Sequence, residues 1–427
     1  MGRIKATEVF TPGAFPSHTY VERADKRYED RLRDALDTKG QVVSLSGPSK
    51  SGKTVLVERV VGLENLITVT GAGIDLPSDV WERVLDWMAT PSETSRDRSF
   101  EGTATIGAEA KGGMGIPFVA KGEVGGKGEL QVGASTQHSK SFKRRGLTQV
   151  VDEIADSDFV VLIDDFHYMT RSVQEEVAKQ IKEAVRQGVK IITASVAHRS
   201  DDVVRANPEL RGRVMAVDLE YWDAANLRAI AERGFTILGA ELNRVSYDDF
   251  VNEAAGSPQL MQAICLNACF ELNLREKAGE VMNLTPSKAE RRNLFERTAA
   301  ATDFRSLVDV LDSGPKTRGT ERRTYKFSDG TEGDVYRCIL KAVATDPPRL
   351  SFPYDEILRR VHSICTEEEP VGSSVIGSCL HMSKLALEKF PKERVIDWDE
   401  QKQVFDVPDP YLLFYLRWSG RLMEPEK

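Results

Sequence analysis

The sequence predicts an α/β protein: a parallel β-sheet with helices on both faces, then a helical unit, then a unit of three helices and a β-hairpin. Three observations predict it. Strand-like runs at 41–45, 66–70, 159–163, 189–194 and 214–219 alternate with helix-like runs. Such alternation builds a parallel sheet that takes ligands at the carboxyl ends of its strands. Between the first strand and the helix after it lies Gly47-Pro48-Ser49-Lys50-Ser51-Gly52-Lys53-Thr54, the pattern GxxxxGK[ST]. Beyond residue 220 the spacing of Leu227, Ile230, Ala231, Phe235 and Leu238 turns helical, and past 320 three helix-like runs (334–344, 354–362, 374–390) precede two strand-like runs (395–398, 403–407).

Taken in order, the chain opens on an extended lead-in, Phe10-Thr11-Pro12-Gly13-Ala14-Phe15-Pro16, followed by a charged helix-like run at 23–37. Such a lead-in packs near a nucleotide base. Residues 1–220 read as the sheet domain, with a glycine-rich insert at 101–143 before the third strand. Its centre, 103–135, alternates small or apolar residues with glycine and charge, which fits two short hairpins or a flexible insertion. Residues 221–312 read as a helical domain, 313–319 as a linker, and 320–427 as a winged helix. The closing run 409–418 is a short aromatic helix, a core or docking face.

Composition narrows the function. A chain of 427 residues is long enough for two or three cores. Its net charge of −8 argues against a surface that coats nucleic acid throughout. No apolar run is long enough to cross a membrane and the start lacks a secretory signal, so a soluble, cytoplasmic protein is expected. The five cysteines, Cys265, Cys269, Cys338, Cys365 and Cys379, include no CxxC and offer no readable metal site; buried reduced thiols are expected.

The chemistry starts at the glycine-rich loop. Its glycines let backbone N–H groups curl around phosphates, Lys53 reaches the terminal phosphates and the Thr54 hydroxyl can ligate magnesium. Gly47 through Thr54, with Val55 after them, are therefore the expected nucleotide contacts, and ATP with Mg²⁺ the expected ligands. Residues 159–165, Phe-Val-Val-Leu-Ile-Asp-Asp, form a buried apolar strand ending in paired carboxylates. Asp164 can hold the magnesium beside Thr54, and Asp165 can orient or deprotonate the attacking water. Thr193 and Ser195 at the end of the fourth strand can bond that water or the γ-phosphate; a plain strand-end hydroxyl is the other reading. Arg211 and Arg213 precede the fifth strand, where a guanidinium can stabilise transferring phosphate from a neighbouring subunit or simply face solvent.

Across roughly residues 8–275 these features resemble the AAA+ and STAND superfamilies of P-loop ATPases. The resemblance implies an AAA+-type sheet, a helical lid at 221–312 and the arginine before strand five, Arg213 or its substitute Arg211, as a trans-acting finger. Within the lid, Gly256-Ser257-Pro258 is similar to the GxP motif whose proline, Pro258, rests on the base. The AAA+ second-sensor arginine is absent there, which favours the STAND side or the Orc/Cdc6-like ATPases that also end in a winged helix. An insert in the position of 101–143 projects toward a ring's pore in some AAA+ proteins.

The same resemblance implies an ATP-hydrolysing conformational switch that forms homo-oligomers on ATP binding. It would work with a separately encoded effector, in bacterial defence or mobile-element biology. The alternative is a DNA-binding loader or remodelling ATPase of the Orc/Cdc6 or transposition-helper type. DNA is the weaker expectation, because Lys384, Lys389, Lys392 and Arg394 are offset by Glu388, Glu393, Asp397, Asp399 and Glu400.

Overall fold

The computed structural model describes residues 3–89, 145–196, 207–210, 212–316, 322–390 and 395–423. The expected hairpin insert at 101–143, Arg211, Lys392 and Arg394 lie outside them.

Five strands, β1 (Val42–Ser46), β2 (Leu66–Thr70), β3 (Val160–Asp164), β4 (Lys190–Ser195) and β5 (Val214–Asp218), pair in parallel in the order β2-β3-β4-β1-β5. Both faces of the central strands are covered, which is why β3 reads as an unbroken apolar run up to its terminal Asp164. Alternate side chains go to opposite cores. Val161 and Ile163 join Trp81, Val84, Val177 and Ile181, whereas Val160 and Leu162 join Tyr28, Leu32, Leu56 and Val57. The first core thus receives the helices at Pro77–Trp87, Leu147–Ile154 and Arg171–Arg186; the second receives those at Tyr28–Asp37 and Lys53–Val61.

With a four-residue helix at Ala6–Val9 counted first, these helices are α1 (Ala6–Val9), α2 (Tyr28–Asp37), α3 (Lys53–Val61), α4 (Pro77–Trp87), α5 (Leu147–Ile154) and α6 (Arg171–Arg186). The charged run expected to be helical from residue 23 becomes α-helix only at Tyr28. Arg27 before it is left-handed, with φ +50°.

The helical unit comprises α7 (Ala224–Ile237), α8 (Arg244–Glu253), α9 (Pro258–Glu271) and α10 (Lys288–Ala300). Each starts at a side-chain cap, Asp223, Asn243, Ser257 and Ser287, whose oxygen accepts a backbone N–H of the first turn. A parallel pair of three-residue strands, β6 (Ala240–Leu242) and β7 (Met282–Leu284), lies among them, too short to leave a period in the sequence. Ala6, Val9 and Phe10 are fully buried in this unit's core, with Phe10 5.2 Å from the Phe235 ring centroid. The lead-in is therefore anchored in the lid.

The last unit contains α11 (Arg305–Ser313), a hairpin of β8 (Tyr325–Lys326) and β9 (Glu332–Gly333), α12 (Val335–Val343), β10 (Ser351–Pro353), α13 (Tyr354–Ile364), α14 (Gly372–Lys389), β11 (Asp397–Asp399), β12 (Val404–Asp406) and α15 (Pro410–Trp418). Leu307, Val308 and Leu311 of α11 sit in this unit's core, so by packing α11 goes with it and not with the lid that was expected to run to 312. The expected two-stranded wing is a three-stranded antiparallel sheet, β10-β12-β11, in which Phe352, Phe405 and Trp398 stand opposite one another. A three-residue strand ending in proline gave no strand signal of its own.

Helix α15 joins this unit to the lid. Phe414 is buried in the lid core, and Arg417 donates to both carboxylate oxygens of Glu253 at 2.9 and 2.7 Å. Trp418 Nε1 donates to Glu253 as well, at 2.7 Å. Both members of the Arg417–Glu253 pair are about nine-tenths buried, where losing one partner strands the other.

Candidate nucleotide site

The P-loop runs from the tip of β1 into α3. Gly47 is required by space, because a Cβ there would lie 2.7 Å from Leu219 Cβ. Gly52 is required by conformation, since it enters α3 at φ +93°. The loop's backbone bends accordingly, and Ser51 is buried with its hydroxyl unbonded. An orphaned donor at the mouth of a helix N-terminus is where an anion fits.

Lys53 Nζ donates to the carbonyls of Gly47 and Pro48 at 3.0 and 2.9 Å. Burial lowers its pKa, while Asp164 and Asp165 oppose that shift. These two carbonyls hold the ammonium over the loop. Gly47 and Pro48 thus act through Lys53, whereas Ser49, Lys50, Ser51, Gly52, Lys53, Thr54 and Val55 line the adjoining cavity of about 720 Å³. That volume suits a ligand of nucleotide size.

The order of the sheet explains how the acids reach the loop. With β4 between β1 and β3, the tips of all three open on the same side. Thr54 Oγ1 donates to Asp164 Oδ2 at 2.8 Å. A hydroxyl and a carboxylate in contact are the hard oxygen donors that magnesium takes, leaving its other positions to phosphate and water. Among the described residues no group of three or more His, Cys, Asp or Glu forms a metal cluster, so a cation here would depend on the phosphates.

Asp165 follows at φ +55°, a left-handed position that aspartate tolerates. Its backbone N–H donates to Asp164 Oδ1 at 2.9 Å and its side chain lines the cavity. Burial, then the neighbouring Asp164, raises its carboxyl pKa, opposed by Lys53 and Lys50. His167 and Tyr168, from the turn after it, also line the cavity; nothing in their spacing marked them.

Strand four departs from expectation. Thr193 lies within the sheet, buried, with Oγ1 3.5 Å from the Val43 carbonyl oxygen, and is not a strand-end group. Ser195 is the last residue of β4, level with Ser46 of β1, and is also buried; the next residue, Val196, lines the cavity. Arg213 is exposed and sits at the opposite end of the sheet from its own P-loop, since Val42 N–H donates to its carbonyl at 2.8 Å. Five residues of strand, roughly 16 Å, separate that end from the loop. Arg213 thus lies outside the cavity of its own chain.

The remaining wall comes from distant segments. Pro258, the first residue of α9, lines the cavity beside Gly52. Ser257 donates to the Lys50 carbonyl at 3.2 Å, and Trp222 Nε1 donates to the Ser51 carbonyl at 2.9 Å, so the lid grips the P-loop at two points. Arg23, buried, lies 4.5 Å from the Tyr28 ring centroid and 4.8 Å from that of Trp222. The lead-in does pack here: Thr11 to Pro16 line the cavity, held by Gln262, whose Oε1 accepts from Thr11 N–H at 3.2 Å and whose Nε2 donates to Thr19 at 2.6 Å. The last unit closes the wall with Val395, Pro408 and Asp409.

No family model matches the chain, and no curated protein matches it. Solved structures similar to it include Cdc6p from Pyrobaculum aerophilum, with 10% identity over 100% of both chains and a TM-score of 0.43. A Walker-type ATPase of Pyrococcus abyssi matches with 11% identity over 96% of this chain and 97% of that one, at 0.47. The Orc2 protein of Aeropyrum pernix, solved as ADPNP–ADP complexes, matches with 13% identity over 97% and 98%, at 0.46. The loop, the acid-tipped strand and the polar-tipped strand between them sit in one parallel sheet covered by helices, the α/β class that the motifs predict.

Proposed function

We propose that this chain binds and hydrolyses ATP and uses the bound nucleotide as a conformational switch that assembles copies of itself. One observation carries the reading: a single cavity is walled by the P-loop, by the lid through Pro258 and by the last unit through Asp409. A ligand filling that cavity touches all three, so triphosphate and diphosphate can favour different arrangements of them. Burial raises the Asp409 carboxyl above the usual range, which marks it as desolvated where it faces the cavity.

In this reading Lys53 neutralises the terminal phosphates and the P-loop amides cradle them. Thr54 and Asp164 would hold magnesium, which would supply charge neutralisation on the phosphate oxygens. Asp165 orients the attacking water and accepts its proton. Arg213, remote from its own loop, completes a neighbour's site. Ser195, one residue short of the cavity, supports the strand tip from which water is positioned. Magnesium and a homo-oligomer belong to the proposal, as does a separately encoded effector that reads the state.

The last unit's order of helix, strand, two helices and two strands supports a winged helix facing protein. Its sheet carries Asp397, Asp399 and Asp406, carboxylates that repel a phosphate backbone, whereas phosphate contacts dominate DNA affinity. Among the described residues no helix is long and apolar enough to cross a membrane.

Light scattering tests the switch. A larger mass with a slowly hydrolysed ATP analogue than with ADP is expected; equal masses would sink it. A mass or ATPase rate that rises only with duplex DNA would hand the case to the loader reading. Mixing Arg213→Ala with Asp165→Asn protein should restore part of the hydrolysis that each lacks alone, because some sites then pair an intact Asp165 with a neighbour's intact Arg213. No restoration would remove the shared site.

A further inference from the structure

Glu29, in the first turn of α2, lines the same cavity and is only 4% exposed. One of its carboxylate oxygens is satisfied: the Tyr20 hydroxyl donates to Oε1. The other, Oε2, is buried and has no hydrogen-bond partner. A buried carboxylate oxygen without a donor is expensive, and native folds rarely leave one bare.

The surroundings hold this carboxylate still. The Tyr20 ring stacks on Phe15 at 5.9 Å with 15° between the planes, and the Arg59 guanidinium lies 5.4 Å from its centroid. Burial, with Glu29 beside it, raises the Tyr20 phenol pKa, so it remains a donor. A carboxylate can only accept. The phosphates of a nucleotide only accept at neutral pH, so their end of the ligand cannot satisfy Oε2. Donors exist on the nucleoside half alone, as the exocyclic amine of the base and the ribose hydroxyls.

We propose that Glu29 Oε2 accepts a hydrogen bond from the nucleoside half of the bound nucleotide, either the base amine or a ribose hydroxyl, and that Glu29 thereby selects which nucleotide the site takes. This rests on the nucleotide reading above. Tyr20 is the positioning residue, acting through Glu29.

The test is calorimetry of the full chain with ATP, with inosine 5′-triphosphate, which lacks the 6-amine, and with 2′,3′-dideoxyATP, which lacks the hydroxyls. A charged hydrogen bond predicts that the wild type binds ATP roughly 10- to 100-fold tighter than one of the two analogues. Loss with inosine triphosphate assigns the amine, and loss with the dideoxy analogue assigns the ribose. In Glu29→Gln the ATP affinity should drop to that analogue's level while the analogue is unaffected. Tyr20→Phe keeps the carboxylate but frees it, and should narrow the same preference by a smaller factor; its ranking decides if Glu29→Gln does not fold.

Equal binding of all three by the wild type, or an unchanged ranking in both variants, overturns the role of Glu29. If ATP binding is nonetheless lost in Lys53→Ala, only the Glu29 proposal falls. If no triphosphate gives heat with the wild type, the nucleotide reading fails and takes this inference with it.

Discussion

In the P-loop, Gly47 to Thr54 are consecutive in sequence, and their distant partner Asp164 reaches Thr54 from two strands away. The second group of lining residues, Phe15, Glu29, Trp222, Pro258 and Gln262, comes from the lead-in, the first long helix and the lid. The first group is fixed by turn geometry and sheet order, so it exists wherever the sheet folds. The second exists only while the lid and lead-in are docked on the sheet. A change in the first group should therefore alter chemistry with the fold intact, and a change in the second should alter docking first and binding through it.

The largest effect is expected from Lys53→Ala. If the ammonium meets phosphate as proposed, removing it should weaken ATP binding on the order of 100-fold or more, read by calorimetry. The fold should hold, because Lys53 bonds only two loop carbonyls. Retained affinity would overturn the P-loop assignment.

Asp165→Asn comes next. Asparagine tolerates the left-handed backbone at φ +55° as well as aspartate does, so the turn survives. Turnover should fall about 10²- to 10⁴-fold with ATP affinity unchanged. Single-turnover phosphate release and a binding isotherm, measured on one preparation, separate the two. Unchanged turnover would remove Asp165 from the chemistry.

Trp222→Phe probes the lid's side of the cavity. It keeps a ring beside Arg23 but removes the hydrogen bond to the Ser51 carbonyl, about 1 kcal/mol, so nucleotide affinity should fall roughly fivefold. An affinity equal to wild type would mean that this lid contact does not preorganise the loop.

Legibility in the sequence divided along the same line. The central strands were readable because both their faces are buried, as in the apolar run Val160 to Ile163. Thr54 was readable because it closes the glycine-rich motif, and Asp164 because it ends an apolar strand. Thr193 misled because period two along β4 says which face a residue takes but not how far its hydroxyl stands from the tip; the structure keeps it inside, against the Val43 carbonyl. Gln262 and Glu29 left no mark, since each lies on an ordinary helix and matters only through contacts across 251 and 9 residues of chain. The strands β6 to β10 were missed because two or three residues carry no period.

The smallest and most discriminating effect is expected from Ser257→Ala. Its hydroxyl does two jobs: it accepts the Leu260 N–H as the cap of α9, and it donates to the Lys50 carbonyl of the P-loop. Loss of the cap costs about 1 kcal/mol wherever the lid stands. Loss of the P-loop bond matters only while the lid is docked, and in the proposed reading a nucleotide in the cavity would hold the lid through Pro258 by a separate contact. Hydrogen exchange over Pro258–Glu271 should therefore speed up in the variant without nucleotide and return most of the way toward wild type at saturating ATP analogue. An equal acceleration with and without nucleotide would reduce Ser257 to a helix cap, and would leave the lid's grip on the loop to Trp222 alone.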